Sequence, residues 1–126
     1  TKLSSVYETP AWGGVADRNF LNMCVEVETE LEAYEVLDTI QKIELELGRV
    51  RKEHWGNRTI DIDIIIFDDL VFNDDRLIVP HKYIHDRNFV LAPLVEMYDS
   101  IEIAGKNIKE SLEKITEPIS VYKEKL

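Results

Sequence analysis

Residues 59–67, TIDIDIIIF, place two aspartates inside a run of isoleucines, and this pattern limits how the chain can fold. Side chains alternate between the two faces of a strand, so the isoleucines and the aspartates would lie on opposite faces. The core face would carry Ile60, Ile62 and Ile64. An unpaired carboxylate is costly to bury, so the face with Asp61 and Asp63 must meet water or a cation. The alternation therefore predicts a strand at 60–67.

Other segments carry helix and strand patterns. From Leu31 to Leu47 the apolar residues recur at spacings of three and four, which predicts a helix with one apolar stripe. Gly48 suits the position after a helix C-terminus, so we expect the helix to stop there. The remaining predicted elements are strands at 3–9 and 20–29, a hairpin arm at 68–75, and helices at 88–98 and 107–115. Together they predict an α+β fold, with a mainly antiparallel sheet and helices packed on it, in one domain over residues 1–126.

The composition limits the class of partner. The chain has a formal net charge of −10, yet five of its six arginines lie between residues 49 and 87. An acidic chain is not attracted to a nucleic-acid backbone or an anionic membrane, so we expect small-molecule substrates. The single cysteine, Cys24, lies in an apolar stretch and is interpreted as a core residue. Because no apolar run reaches about 20 residues and no signal-peptide core is present, the expected location is cytoplasmic.

Asp61 and Asp63 form the first candidate site. With α-carbons roughly 6.5–7 Å apart on one strand face, their carboxylates would repel each other without a compensating cation. Mg²⁺ accepts one or two protein carboxylates and completes its coordination with water and substrate phosphates. From the residues alone, a solvated strand face without a ligand stays an alternative.

Two cationic segments flank this pair and favour phosphate chemistry. The upstream segment, residues 48–58, contains Arg49, Arg51, Lys52, His54, Trp55 and Arg58. The downstream segment, residues 79–89, contains His81, Lys82, His85 and Arg87. Arginine binds phosphate oxygens in pairs, and catalysis of phosphoryl transfer is mostly positioning and charge neutralisation. A metal site made by His81 and His85 would need a helix, which Pro80 disfavours.

Four separated motifs resemble those of the 6-hydroxymethyl-7,8-dihydropterin pyrophosphokinase family. They are SSVYETPAWG, NFLNM, GRVRKEHWGNRTIDIDIIIF and RLIVPHKYIHDRNFVLAPLVEM, and the resemblance runs in order from residue 3 to residue 103. It implies a ferredoxin-like fold and transfer of diphosphate from ATP to the hydroxymethyl group of the pterin, with release of AMP, in folate biosynthesis. It further implies ATP as co-substrate and two Mg²⁺ ions held by Asp61 and Asp63.

The resemblance also implies roles for individual residues. The catalytic residues would be Arg49, Arg58, Asp61 and Asp63. The ATP-binding residues would be Gln41, Glu44, Arg51, Trp55, Ile64, His81 and Arg87. The pterin-binding residues would be Thr9, Pro10, Trp12, Phe20, Asn22 and Phe89. Aromatic rings suit a flat heterocycle and an amide suits its donor and acceptor edge, which agrees with the roles of the phenylalanines and the asparagine.

The chain departs from the family's pattern at three places. Asn57 stands where the family has proline or a small residue, and Lys82 and Tyr83 replace the usual residues after Pro-His. The family begins with a further strand and helix that this sequence does not contain, so we expect these residues to belong to a longer polypeptide. We expect a monomer, with fusion to another folate enzyme as an open alternative.

Two other functions stay open on the residues alone. Another Mg²⁺-dependent enzyme of phosphoryl or diphosphoryl transfer or hydrolysis, or a glycosyltransferase, would use the Asp-x-Asp pair but would give no role to Phe20, Asn22 and Phe89. A non-catalytic ferredoxin-like module for RNA would need basic and aromatic residues on a sheet face, and the acidic composition argues against it.

Overall fold

The computed structural model describes residues 2–10, 19–49 and 60–124, with the side chain of Arg49 excepted. The chain divides into two compact units. Unit 1 comprises Thr1–Glu28 and Tyr83–Leu126, and unit 2 comprises Thr29–Lys82. The described residues form helices and antiparallel strand pairs, so the α+β class is confirmed. The single domain over residues 1–126 stays a prediction.

Five strands of unit 1 pair in two small antiparallel sheets. In the first, β1 (Lys2–Leu3) pairs with β4 (Val25–Glu26). In the second, β2 (Val6–Thr9) lies between β3 (Phe20–Asn22) and β9 (Ser120–Lys123). The second sheet places β2 at its centre, with β3 and β9 at its edges among the described strands.

The strands predicted at 3–9 and 20–29 are each divided in two, and Ser4 shows why. Its backbone N–H donates to the carbonyl of Cys24 at 2.9 Å, but the Cys24 N–H donates to the Ser4 hydroxyl at 2.8 Å. A side chain thus replaces a backbone acceptor, and Ser and Asn side chains compete with backbone ladders in this way. The prediction of two continuous strands was wrong at this point.

Two helices and a hairpin complete unit 1. The helix α2 (Asn88–Tyr98) has the predicted bounds, and α3 (Ile108–Glu113) lies inside the range predicted for it. Between them, β7 (Glu102–Ile103) and β8 (Lys106–Asn107) form a hairpin that the sequence did not reveal. Its two loop residues, Ala104 and Gly105, have φ angles of 52° and 80°, the type of turn that matches strand twist.

The core of unit 1 is built around α2. This helix packs on both α3 and β2. Leu91 of α2 and Ile108 of α3 are both fully buried, and Val6 of β2 is 7% exposed. Cys24 is half-buried and is not one of the fully buried core residues, so its interpretation as a core residue was only partly correct. Burial raises the pKa of its thiol to about 11.

Unit 2 packs one long helix against a short hairpin. The helix is α1 (Ala33–Arg49), and the hairpin consists of β5 (Phe72–Asn73) and β6 (Ile78–Val79). The hairpin confirms the arm predicted at 68–75. The buried cluster contains Ala33, Leu77 and Val79, with Tyr34, Leu37, Ile64, Phe67 and Phe72 packed against it.

Three predictions for unit 2 were wrong. Gly48 lies inside α1 and does not follow it, because its backbone stays out of the left-handed region that a glycine stop requires. Residues 60–67 form no strand with the described residues, since an alternating pattern selects a buried face but does not supply a partner strand. Ile60 is 38% exposed and not in the core, whereas Ile62 and Ile64 are half-buried.

Within residues 2–10, 19–49 and 60–124, no helix is long and apolar enough to cross a membrane.

Candidate functional site

Asp61 and Asp63 lie in unit 2 with both side chains exposed. The intervening Ile62 and the following Ile64 are half-buried. The expected division between an apolar and an acidic side therefore holds at these four positions even though the segment is not a strand. Two exposed carboxylates thus lie two residues apart on the acidic side of this segment.

Glu44 of α1 fixes the backbone between the two aspartates. Its Oε2 accepts a hydrogen bond of 2.7 Å from the backbone N–H of Ile62. A charged acceptor strengthens such a bond, and Glu44 is half-buried, which reduces competition from water. The structure thus brings Glu44, predicted to bind ATP, next to the predicted metal ligands.

His81 is held beside the same segment through the backbone. Its N–H donates to the carbonyl of Ile65 at 2.8 Å, and its side chain is half-buried. Two segments distant in sequence, around residue 44 and residue 81, therefore meet residues 61–65. Gln41, one turn before Glu44 on α1, is exposed.

Several predicted residues lie outside the described part of the chain. They are Trp12, Arg51, Trp55 and Arg58, together with the side chain of Arg49. Their roles stay predictions.

Three of the predicted pterin residues, Thr9, Phe20 and Asn22, share one face of the β2–β3 pair. Thr9 is the register partner of Phe20, and Tyr7 is the partner of Asn22. Directly opposed residues of an antiparallel pair point to the same side, as do residues two apart on one strand. Thr9, Phe20 and Asn22 therefore lie on a common face, and Phe20 is 46% exposed on it. Pro10, the residue after β2, is half-buried.

Tyr7 is a member of this face that the sequence reasoning did not select. Its hydroxyl donates to Glu96 Oε1 at 2.8 Å, while the N–H and the hydroxyl of Ser5 donate to the two Glu96 oxygens at 2.9 Å each. Burial and the bond to Glu96 raise the pKa of Tyr7 above its usual range. Its place two residues before Thr9 on the same strand is the signal that could have found it. Glu96 thereby ties α2 to the strand that carries Thr9.

Arg87 and Phe89 lie at the start of α2. The guanidinium carbon of Arg87 is 4.5 Å from the ring centroid of Tyr83 and 5.6 Å from that of Phe89. A residue predicted to bind ATP is therefore in contact with one predicted to bind the pterin. Tyr83 was noted only as a departure from the family, and its position four residues before an arginine was the available signal.

His85 has a different role from the metal ligand considered above. Its Nδ1 lies 2.7 Å from the hydroxyl of Ser111, and its Nε2 lies 2.5 Å from the carbonyl oxygen of Ile103. Both ring nitrogens thus have partners in α3 and β7. This side chain connects the segment before α2 to the hairpin and the last helix, and neither nitrogen is open to a metal.

The chemistry of the donor set fits magnesium. Asp61 and Asp63 offer hard oxygen ligands, and their exposure leaves room for the waters and phosphate oxygens that Mg²⁺ retains. The described residues hold no group of three or more His, Cys, Asp or Glu side chains placed to bind a metal. The pair is accordingly the donor set to test.

Comparison with known proteins identifies the family. A family model described as 7,8-dihydro-6-hydroxymethylpterin-pyrophosphokinase (HPPK) matches residues 1–99, a range that includes every residue assigned to the site.

Relatives agree with this match over most of the chain. A 2-amino-4-hydroxy-6-hydroxymethyldihydropteridine pyrophosphokinase of Methylorubrum extorquens is 40% identical over 112 residues, covering 89% of this chain and 71% of the relative. The enzyme of the same name from Bacillus subtilis is 43% identical over 125 residues, covering 99% of this chain and 72% of the relative. The bifunctional protein FolKE of Lactococcus lactis is 43% identical over 127 residues, covering 99% of this chain and 35% of the relative. This chain belongs to the 7,8-dihydro-6-hydroxymethylpterin-pyrophosphokinase family.

Proposed function

We propose that this chain transfers a diphosphate group from ATP to 6-hydroxymethyl-7,8-dihydropterin and releases AMP, the reaction of its family in folate biosynthesis. The observation that carries the proposal is the family match over residues 1–99, which contains all the implied ATP, metal and pterin residues. The named relatives, at 40% and 43% identity, support it. ATP is the co-substrate, since a pyrophosphokinase draws its diphosphate from a nucleotide.

On the ATP side, the chain's contribution is positioning and charge. Glu44 fixes the backbone between Asp61 and Asp63 through Ile62. The two carboxylates would hold magnesium, for which we propose two ions. When bound, magnesium supplies charge neutralisation to the phosphates and orients them. Arg87 offers guanidinium donors to phosphate oxygens, with Gln41, Ile64 and His81 as further nucleotide contacts.

The arginine-rich segment would complete the phosphate site. We assign Arg49, Arg51 and Arg58 to charge neutralisation during transfer and Trp55 to covering the nucleotide. Phosphoryl-type transfer gains most from such positioning and electrostatic stabilisation, and no covalent enzyme intermediate is required.

On the pterin side, the exposed ring of Phe20 and the ring of Phe89 would stack on the flat heterocycle. Asn22, on the same strand face as Phe20, supplies both a donor and an acceptor for the polar edge of the pterin. Thr9, Pro10 and Trp12 would line the segment that closes over it. The pterin hydroxyl would then attack the β-phosphorus of ATP, and AMP would leave.

Finer architectural features belong to the same proposal. We assign the chain a ferredoxin-like arrangement and a monomeric state. Fusion to another enzyme is a variation found among relatives, since two of them are named bifunctional protein FolKE.

The assignment of Asp61 and Asp63 as metal ligands is tested with the Asp61→Asn and Asp63→Asn variants. The rate of AMP formation is measured in the presence of Mg²⁺, ATP and pterin. Each substitution keeps the side-chain size and removes one charge, so we expect a loss of at least 100-fold in kcat/KM, equivalent to about 2.7 kcal/mol or more. Asp69→Asn, an exposed aspartate of the same region, is the matched control. Near-normal turnover in both variants would reject the assignment.

The reaction itself is tested separately with the unmodified chain. Formation of one AMP for each pterin diphosphate supports the proposal. ATP hydrolysis that proceeds equally well without pterin would instead favour a phosphohydrolase acting through the Asp-x-Asp pair, a reading that leaves Phe20 and Asn22 without a role.

A further inference from the structure

We propose that Tyr83 is a positioning residue for Arg87, holding its guanidinium group against an aromatic face so that its N–H edges are directed to the ATP phosphates. The inference deepens the function proposed above and rests on it for the identity of the ligand. The contact between the two side chains stands independently of that function.

The geometry is that of a cation over a ring. The Arg87 guanidinium carbon lies 4.5 Å from the Tyr83 centroid, inside the range of about 6 Å within which a ring attracts a cation. The Phe89 centroid is farther away, at 5.6 Å. Among the described residues, these two rings and no carboxylate are the partners of the guanidinium group. No carboxylate in the described part of the chain therefore neutralises its positive charge.

The backbone at both ends of this contact is fixed. Ile84, next to Tyr83, is 2% exposed. The Asp86 N–H donates to the Tyr83 carbonyl at 3.0 Å, which closes a turn. The carbonyl of Arg87 accepts from the N–H groups of Val90 and Leu91 at 3.1 and 3.0 Å, as expected for the residue that caps α2. The backbone of both Tyr83 and Arg87 is thus held by hydrogen bonds, which fixes the starting points of the two side chains that are in contact.

A contact with an aromatic ring suits a phosphate ligand better than an ion pair would. A ring supplies no carboxylate oxygen, so it does not pair with the guanidinium N–H donors that a phosphate uses. A carboxylate would occupy those same donors in pairs. Tyr83 can therefore restrict the motion of a long side chain without competing with phosphate. Restricting the side chain beforehand reduces the entropy that binding must overcome.

The expected effect follows from the strength of such a contact. Exposed cation–π contacts are worth about 0.5–1 kcal/mol, equivalent to about a two- to fivefold change in an equilibrium constant. Tyr83→Leu should therefore raise KM for ATP about two- to fivefold and leave kcat within about twofold, the pattern of lost ground-state binding. Tyr83→Phe keeps the ring and should restore KM to within about twofold of the wild-type value.

A double-mutant cycle separates positioning from general damage. Arg87→Ala alone should raise KM for ATP more than Tyr83→Leu does. In the Arg87→Ala background, Tyr83→Leu should cause no further change if its effect passes through the guanidinium group. Tyr122→Leu, at a tyrosine of β9 that is 58% exposed, is the matched control for loss of a surface ring.

A spectroscopic measurement tests the contact without reference to activity. The side-chain Nε–Hε and Cδ–Hδ resonances of Arg87 should show ring-current shifts in the wild type and in Tyr83→Phe. In Tyr83→Leu the contribution of this ring should be lost.

The outcomes distinguish this proposal from the function on which it rests. Ring-current shifts with no effect of Arg87→Ala on KM would show that Arg87 does not bind ATP, which overturns the site assignment and the proposal with it. An effect of Arg87→Ala without any effect of Tyr83→Leu would overturn the positioning role alone. Equal losses in Tyr83→Phe and Tyr83→Leu would also overturn it, because the hydroxyl and not the ring would then be responsible.

Discussion

Glu44 accepts a hydrogen bond from the backbone N–H of Ile62, the residue that separates Asp61 from Asp63. A single side chain of α1 therefore positions the backbone that carries both aspartates, and this bond does not involve either aspartate side chain. The bond is charge-assisted and 2.7 Å long, and it links the long helix directly to the acidic segment.

The first prediction concerns this link. Glu44→Ala should lower kcat/KM about tenfold, because loss of a bond to a charged acceptor costs about 1.5 kcal/mol and the aspartates lose their fixed backbone. Glu44→Gln keeps an oxygen that can accept a hydrogen bond from the Ile62 N–H. Its kcat/KM should therefore lie between that of Glu44→Ala and that of the wild type. A Mg²⁺ titration of activity should show a higher half-saturating concentration in the alanine variant.

Glu46, an exposed glutamate on the same helix, provides the matched control. Glu46→Ala removes the same charge from α1 without touching Ile62. Equal losses in the two alanine variants would contradict the role assigned to the Glu44 bond.

The second prediction concerns the exposed ring of Phe20. Phe20→Ala should raise KM for the pterin about five- to tenfold with little change in KM for ATP, because stacking of aromatic rings is worth about 1–1.5 kcal/mol. Its neighbour Leu21 is 50% exposed and points to the other face of β3, so Leu21→Ala is the control. A rise in KM for ATP of the same size as for the pterin would argue against a pterin site at Phe20.

The third prediction concerns His85, which joins three elements of unit 1. His85→Ala leaves the Ser111 hydroxyl and the Ile103 carbonyl without this partner, and the free energy of unfolding should fall by about 1–3 kcal/mol. Urea denaturation measures this change. In a Ser111→Ala background, His85→Ala should lower the free energy of unfolding by less than it does in the wild type. If the decreases caused by the two substitutions were strictly additive, direct coupling of the two side chains would be contradicted.

The fourth prediction is a pH dependence from Glu96. Burial raises the pKa of its carboxyl, but the hydrogen bonds from Ser5 and Tyr7 outweigh burial and hold the pKa below its ordinary value of 4.5. A carboxyl whose pKa is lowered by folding stabilises the folded state above the unfolded pKa. That stabilisation disappears as the pH falls through the lower, folded value.

Glu96→Gln should therefore be less stable than the wild type near pH 7, and the difference should shrink as the pH is lowered below 4.5. Thermal unfolding of both proteins between pH 7 and pH 3 measures the effect. Glu102→Gln, at an exposed carboxylate of β7, is the control. A difference between the wild type and Glu96→Gln that does not change with pH would contradict the linkage.

The sequence predicted correctly those elements whose bounds are set by nearby residues, and it failed where an element depends on a distant part of the chain. The bounds of α2 were predicted correctly, because an apolar run between Arg87 and Asp99 carries its own start and stop. The strand at 60–67 was not, because a strand requires a partner that alternation does not reveal. The prediction that α1 ends before Gly48 was wrong for a related reason. A glycine can adopt the left-handed conformation that ends a helix, but it does not have to.

For the candidate site, the pattern of residues predicted exposure better than contact. Asp61 and Asp63 are exposed, as the alternation required. The bond of Glu44 to Ile62 and the placement of Tyr83 over Arg87 depend on the positions of side chains in the folded chain, which spacing alone does not define. The family resemblance supplied roles for Glu44 and Arg87 but not the contacts that position them.

The edge position of β3 has a consequence for motion. Among the described residues, the three-residue strand with Phe20 and Asn22 pairs with β2 alone, whereas Leu91 and Ile108 are fully buried. Amide hydrogen exchange should consequently be faster in β3 than in α2, since edge strands open without breaking the core. Pterin binding would slow exchange in β3 by closing that local opening. The strand assigned to the pterin would thus be ordered by the pterin itself.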